Sequence, residues 1–226
     1  MAEITLSVPT SLDDMKLWQY QAYLKLGEID DVQYANKKLI ELFCGVSMDD
    51  VDSIPIMEVE KVLEVLKKAF EEESDLVKHF ELGGVEFGFI PKLDSISLGE
   101  YVDIEDAITD WQTMHKAMAV LYRPVNFKKG SAYTIAPYSP NEEIQEIMKD
   151  MPLSAAMSAM VFFYRLGIQL SKATLRYTEA ILMKEENSEL RKHLERNGVG
   201  INQFMDSLKE TYSNLTGLQN WNSISA

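Results

Sequence analysis

The chain has 226 residues, 46% of them apolar and 26% charged, with 36 acidic against 22 basic side chains and a net charge of −14. That apolar share is too high for a disordered chain and suits one large domain, or one domain with an appendage. So anionic a surface repels nucleic-acid backbones and anionic membranes, and neither is expected as a partner.

Read in chain order, residues 4–8 alternate β-branched side chains up to Pro9 and predict a short strand. Ser11 with Asp14 forms a capping-box pattern, and Met15, Trp18, Ala22 and Leu26 are spaced for one face of the helix it opens. A second helix spans about 31–43, with Tyr34, Leu39, Leu42 and Phe43 apolar, and Gly45 ends it. Ser47 with Asp50 repeats the capping pattern, and Pro55 opens a helix over 56–72 whose Val59, Val62, Leu63, Leu66 and Phe70 lie on one buried side. Two β-rich runs, 77–82 and 85–90, flank Gly83-Gly84 and predict a hairpin. Ser97 with Glu100 caps a long helix carrying Ile104, Ile108, Trp111, His115, Met118 and Tyr122 on one stripe, ended by Pro124. Residues 133–136 predict one more strand, and 141–149 a short polar helix.

Pro152 then opens the longest helix, running towards residue 195 and apolar on nearly every side at first. Its uninterrupted apolar part, 155–164, is shorter than the roughly 20 residues a membrane span needs, and Arg165 and Gln169 follow, so a buried core helix is expected. The fold class is therefore α+β and mainly α-helical, with a small antiparallel sheet of the N-terminal strand and the Gly-Gly hairpin packed on helices. Composition turns strongly charged near residue 184, which sets an expected boundary between a core domain, 1–183, and a charged helical-hairpin extension, 184–226. Within and beside that extension, Met183, Asn187, Leu190 and Leu194 are spaced as a two-heptad seam. Asn197-Gly198 is expected to break the helix, and Ile201, Phe204, Leu208 and Tyr212 give the next one a narrow stripe. Met183, Asn187, Leu190, Leu194, Phe204, Leu208 and Tyr212 are the candidate partner-binding residues.

Reactive side chains are few. Cys44 is the only cysteine, so an internal disulfide and a cysteine-based metal site are ruled out, which fits a reducing cytosol. The start, Met-Ala-Glu-Ile-Thr, lacks the basic and apolar runs of a signal peptide, so export is not expected. His79, His115 and His193 match no ligand spacing, and His115 reads as a core histidine. Glu100, Asp103, Asp106 and Asp110 form an acid row near one helix face, which a cation or an acid/base pair could use but which reads first as complementing the helix dipole. Arg123 is placed to pair with that row or with a partner's carboxylate, and equally to serve as a cation at the helix C-terminus. No catalytic residue, cofactor or metal is expected.

Three stretches resemble a known family when taken in order. They are Leu6-Ser-Val-Pro-Thr-Ser-Leu12 with Leu17-Trp-Gln-Tyr-Gln21; Leu98-Gly-Glu-Tyr-Val-Asp-Ile-Glu105 with Met118-Ala-Val-Leu-Tyr-Arg-Pro124; and Met151-Pro-Leu153 with Phe162-Phe-Tyr-Arg-Leu-Gly167. Over about residues 6–170 the chain resembles the baseplate hub assembly chaperones and tail-assembly proteins of contractile-tailed bacteriophages. The resemblance implies a non-catalytic factor that binds phage tail or baseplate subunits in the host cytoplasm during assembly. A structural protein of the virion (neck, baseplate or internal) is the alternative. A further one is an acidic inhibitor that mimics DNA towards a host nucleic-acid-binding protein. A metal-dependent enzyme built on the acid row is the reading that would contradict all three.

Overall fold

In the computed structural model the described residues are 6–26, 31–71 and 75–182, with Lys192, Arg196, Gly198, Ile201, Asn202, Asp206 and Lys209 beyond them. They fall into two compact units, one up to Ser158 and one from Ala159 onward. The expected extension, 184–226, lies almost wholly outside the described residues.

In the first unit a 3₁₀ turn, Leu12–Asp14, precedes α1 (Leu17–Leu24), α2 (Val32–Cys44), α3 (Met48–Asp52) and α4 (Ile56–Glu71). Strands β1 (His79–Leu82) and β2 (Val85–Phe89) come next, then α5 (Leu98–Ile108) and α6 (Met114–Leu121). Strands β3 (Tyr122–Lys129) and β4 (Ala132–Ile135) follow, then α7 (Glu142–Ile147) and α8 (Leu153–Leu182), which runs on into the second unit. The architecture is mainly helical α+β with one small antiparallel sheet.

Local chemistry places most of these boundaries. Asp31 accepts from Gln33 N and Tyr34 N at 3.0 and 3.1 Å and starts α2. Ser47 and Asp50 satisfy each other's backbone N–H groups, and so do Ser97 and Glu100, as reciprocal capping boxes. At Ser11 the expected box fails. Asp14 instead accepts from Thr10 N at 3.2 Å and Ser11 Oγ at 3.3 Å around the 3₁₀ turn, and the α-helix starts only at Leu17. That offset changes the buried face: Leu17, Tyr20 and Gln21 go in, while Trp18 stays 39% exposed.

The sheet order is β1-β2-β3-β4, antiparallel throughout. The hairpin forms as expected, with Leu82 opposite Val85 across a turn whose Gly83 and Gly84 have φ of 60° and 77°. Residues 6–8 of the expected N-terminal strand carry no strand pairing, and 1–5 lie outside the described residues. The place beside the hairpin is taken by β3, which pairs Phe89 with Tyr122 and Phe87 with Pro124. The ladder to β2 stops at Pro124, which has no N–H to give, and β3 continues against β4 alone. The strand expected at 133–136 is β4, shifted by one residue and joined through β3.

The long helix expected from Ser97 to Pro124 is two helices. Asp110 Oδ1 accepts from Gln112 N at 2.9 Å, and Thr113 Oγ1 donates to Ala107 O at 2.9 Å, so side chains intercept the helical ladder at the break. The apolar stripe survives it. Ile104, Trp111, His115, Met118 and Tyr122 are all buried.

The start of α8 completes this core. Leu153, Ala155 and Ala156 are 0% exposed. Residues 15–17 clamp 151–153, with Leu17 N donating to Met151 O at 3.1 Å and Leu153 N to Met15 O at 2.8 Å. Leu153–Thr178 has the length and composition of a membrane-crossing helix, a length the apolar run 155–164 alone did not suggest, and 44% of its most apolar stretch is buried. In the second unit, Ser171 and Thr178 turn their hydroxyls back to carbonyls one turn earlier, both at 2.9 Å. Gly198, expected to break a helix, is helical, and Leu175 lies 3.8 Å from where its Cβ would be.

Gly88 is the position where the sheet depends on a missing side chain. A Cβ there would sit 2.9 Å from the Tyr133 ring and 3.0 Å from Val125 Cγ2. Tyr133 lies across β2 and donates to Phe89 O at 2.6 Å. Gly88→Ala is expected to cost about 1–3 kcal/mol in urea denaturation, the range for overpacking. In a Tyr133→Ala background the same change should cost much less. Equal costs in both backgrounds would contradict this contact.

Candidate functional site

The candidate partner-binding residues Met183, Asn187, Leu190, Leu194, Phe204, Leu208 and Tyr212 lie outside the described residues. The acid row does not. Its first member, Glu100, is buried and ion-paired with Arg123, Nη2 to Oε1 at 2.8 Å, with side chains 9% and 12% exposed. Burial pushes the Glu100 carboxyl up, but the Ser97 backbone and hydroxyl bonds and the guanidinium outweigh it, so its pKa lies below the usual value. Asp103 accepts a hydrogen bond from Tyr138, whose hydroxyl burial and that carboxylate push up to about 12. The Arg123 guanidinium also lies 6.0 Å over the Tyr138 ring. Arg123 thus pairs with the acid row, as one of its expected roles requires.

Together these contacts latch the segment after β4 onto α5. Beside the latch runs an open groove of about 500 Å³, with Asp103, Asp106, Thr113 and Lys116 on one wall and Asn141 and Glu142 on the other. A smaller depression of about 120 Å³ adjoins it, lined by Arg123, Pro137, Tyr138 and Ile144. Asp110 is turned to its own cap and does not line the groove. Among the described residues no group of three or more His, Cys, Asp or Glu side chains is placed to hold a metal.

The cysteine and the described histidines sit in separate structural places. Cys44 is buried at the end of α2, and burial raises its thiol to about 11. His115 is 5% exposed, with Nδ1 3.2 Å from Gln21 Nε2 and Nε2 3.8 Å from Glu146 Oε1. Gln21 Nε2 also donates to Trp111 O at 2.6 Å, so His115 is one node of a buried polar tie between α1 and α6. Burial, then the nearby Lys149, depresses the His115 pKa. On the sheet's outer face, His79 is edge-on to Tyr133 at 4.3 Å, and burial followed by Lys128 depresses it too.

The feature that the helical reading passed over is the outward side of α5. Leu98, Tyr101 and Val102 are 79%, 50% and 42% exposed, opposite the buried Glu100, Ile104 and Ala107. Their i, i+3, i+4 spacing was the available signal, masked because Ile104 and Ile108 set the phase of the stronger inner stripe. Glu105 and Asp106 are exposed beside them. Phe127, 61% exposed, stands near the end of β3 next to Lys128 and Lys129. No family model, characterised protein or solved structure matches the chain.

These shifts set a pH profile. Both described histidines are depressed when folded, so their stabilisation is full above the unfolded value of about 6.5 and is lost as pH falls through their folded pKa values. Glu100 is likewise depressed, so its stabilisation is full above about 4.5 and is lost on further acidification. Urea midpoints are expected to fall in those two windows. Arg123→Ala should weaken the second step and cost about 3–5 kcal/mol at pH 7, because it strands a buried carboxylate. A flat profile from pH 7 to 5 would contradict the histidine placement.

Proposed function

We propose that this chain is a non-catalytic tail or baseplate assembly protein of a tailed bacteriophage, which binds structural subunits in a chaperone-like way. The order of the three motif stretches over 6–170 supports the family. The observation that carries the mode of action is the outward stripe of Leu98, Tyr101 and Val102 on a chain of net charge −14. Apolar side chains on a rigid, well-capped helix, amid carboxylates, suit reversible contact with another protein. The acidic exterior keeps the complex soluble and favours a partner with a basic rim. Met57, 67% exposed, adds a contact that repacks easily, while Met15, Met114, Met118, Met148, Met151 and Met160 fill the core.

Affinity capture of the tagged chain from phage-infected cells is expected to recover tail or baseplate subunits, with Leu98→Ser/Val102→Ser recovering far less. Stoichiometric presence of the chain in purified virions would favour the structural-component reading instead. Capture of a host nucleic-acid-binding protein, lost at high salt, would favour the DNA-mimic reading. Recovery of no phage structural protein overturns the proposal.

A further inference from the structure

We propose that two exposed faces of the first unit are the two halves of a head-to-tail contact between copies of this chain: the β3–β4 hairpin tip and the outward stripe of α5. The contact does not rest on the assembly reading; it uses the same α5 stripe, so a second copy and a structural subunit would compete for that face.

The hairpin tip is a short cationic, aromatic arm. Residues 126–132 are all exposed, and Phe127 is 61% exposed. Lys128 and Lys129 follow it, ahead of the turn at Gly130, and Lys128 spends part of its charge on Glu86. The outward stripe of α5 is its chemical complement. Leu98, Tyr101 and Val102 supply an apolar strip, and Glu105 and Asp106 supply carboxylates at its rim. An aromatic anchor entering an apolar strip, with lysines meeting carboxylates around it, is the usual division between an interface core and its rim.

Both faces belong to one compact unit, and both are exposed there, so neither covers the other within a chain. A second copy is the occupant whose face is known to have the required chemistry. The charge pattern also narrows the geometry. A chain of net charge −14 repels its own copies, so contact is favoured where a locally cationic patch meets an acidic one. A contact between different patches is heterologous, and it propagates into a ring or an open row rather than closing as a two-fold dimer. Two patches of this size make a small interface, so association should be weak and concentration-dependent.

The test is sedimentation velocity on the full chain over a concentration series at about 150 mM salt, where the Debye length is ~8 Å and long-range repulsion is screened. Wild type is expected to form species beyond the monomer as concentration rises. A hairpin variant, Phe127→Ser/Lys129→Glu, and a helix variant, Leu98→Ser/Glu105→Lys, should each weaken association at least about tenfold. Mixing the two should restore a single heterodimer, because the hairpin variant keeps an intact α5 and the helix variant an intact hairpin. The mixture also controls for folding, since a variant that failed to fold would restore nothing, and circular dichroism of each identifies that case before mixing. A wild-type chain that stays monomeric throughout overturns the proposal. So does association that both variants leave unchanged, or that two well-folded variants lose without recovery on mixing.

Discussion

The first unit is organised around Tyr122, which is wholly buried where α6 hands over to β3. Its ring packs against Phe80 and Phe89, with centroids 5.1 and 5.2 Å away, and so ties together three strands. Its hydroxyl donates to Val77 O at 2.7 Å and to Ala155 O at 3.2 Å. One side chain therefore joins the approach to β1, the middle of the sheet and the first turn of α8. A phenol this deeply buried without partners would cost about 1–3 kcal/mol, so the shared hydroxyl is what makes the position tenable. Ser158 closes the same junction from α8, accepting from Val77 N at 3.1 Å.

With that junction fixed, the rest of the unit can be hung on it. Because β3 begins at Tyr122, Arg123 must point to the other face of the sheet, where it meets Glu100. Because Glu100 also caps α5, the ion pair sets the helix start as well as its docking. The same pairing leaves Leu98, Tyr101 and Val102 facing outward. The exposed apolar stripe is thus a consequence of where the acid goes.

Much of this was legible in the residues. The Gly83-Gly84 hairpin, the boxes at Ser47 and Ser97, and the buried sides of α4 and of the Ile104–Met118 stripe follow from local rules. The misses have local causes too. Around Trp111 the apolar spacing stays in helical phase across a break made by Asp110 and Thr113, so periodicity alone joins α5 to α6. Pro124 reads as a helix stop because proline cannot continue a helix, yet α6 already ends at Leu121 and Pro124 sits in β3, where the ladder to β2 ends. Arg123 was seen as a partner for the acid row, but Tyr138 on Asp103 was not, because nothing local connects residues 35 apart in sequence. The groove is likewise a product of tertiary placement and has no sequence pattern of its own.

The outward stripe of α5 is positioned through the Arg123–Glu100 pair, and that pair traces to the Tyr122 junction. Native-state hydrogen exchange on wild type and Tyr122→Phe tests this most directly, since Phe keeps the packing and removes only the hydroxyl. The account expects amides of β2, β3 and the first turns of α8 to lose protection together, by a common amount of about 1–3 kcal/mol. Loss confined to one of these elements, or no loss at all, would contradict it.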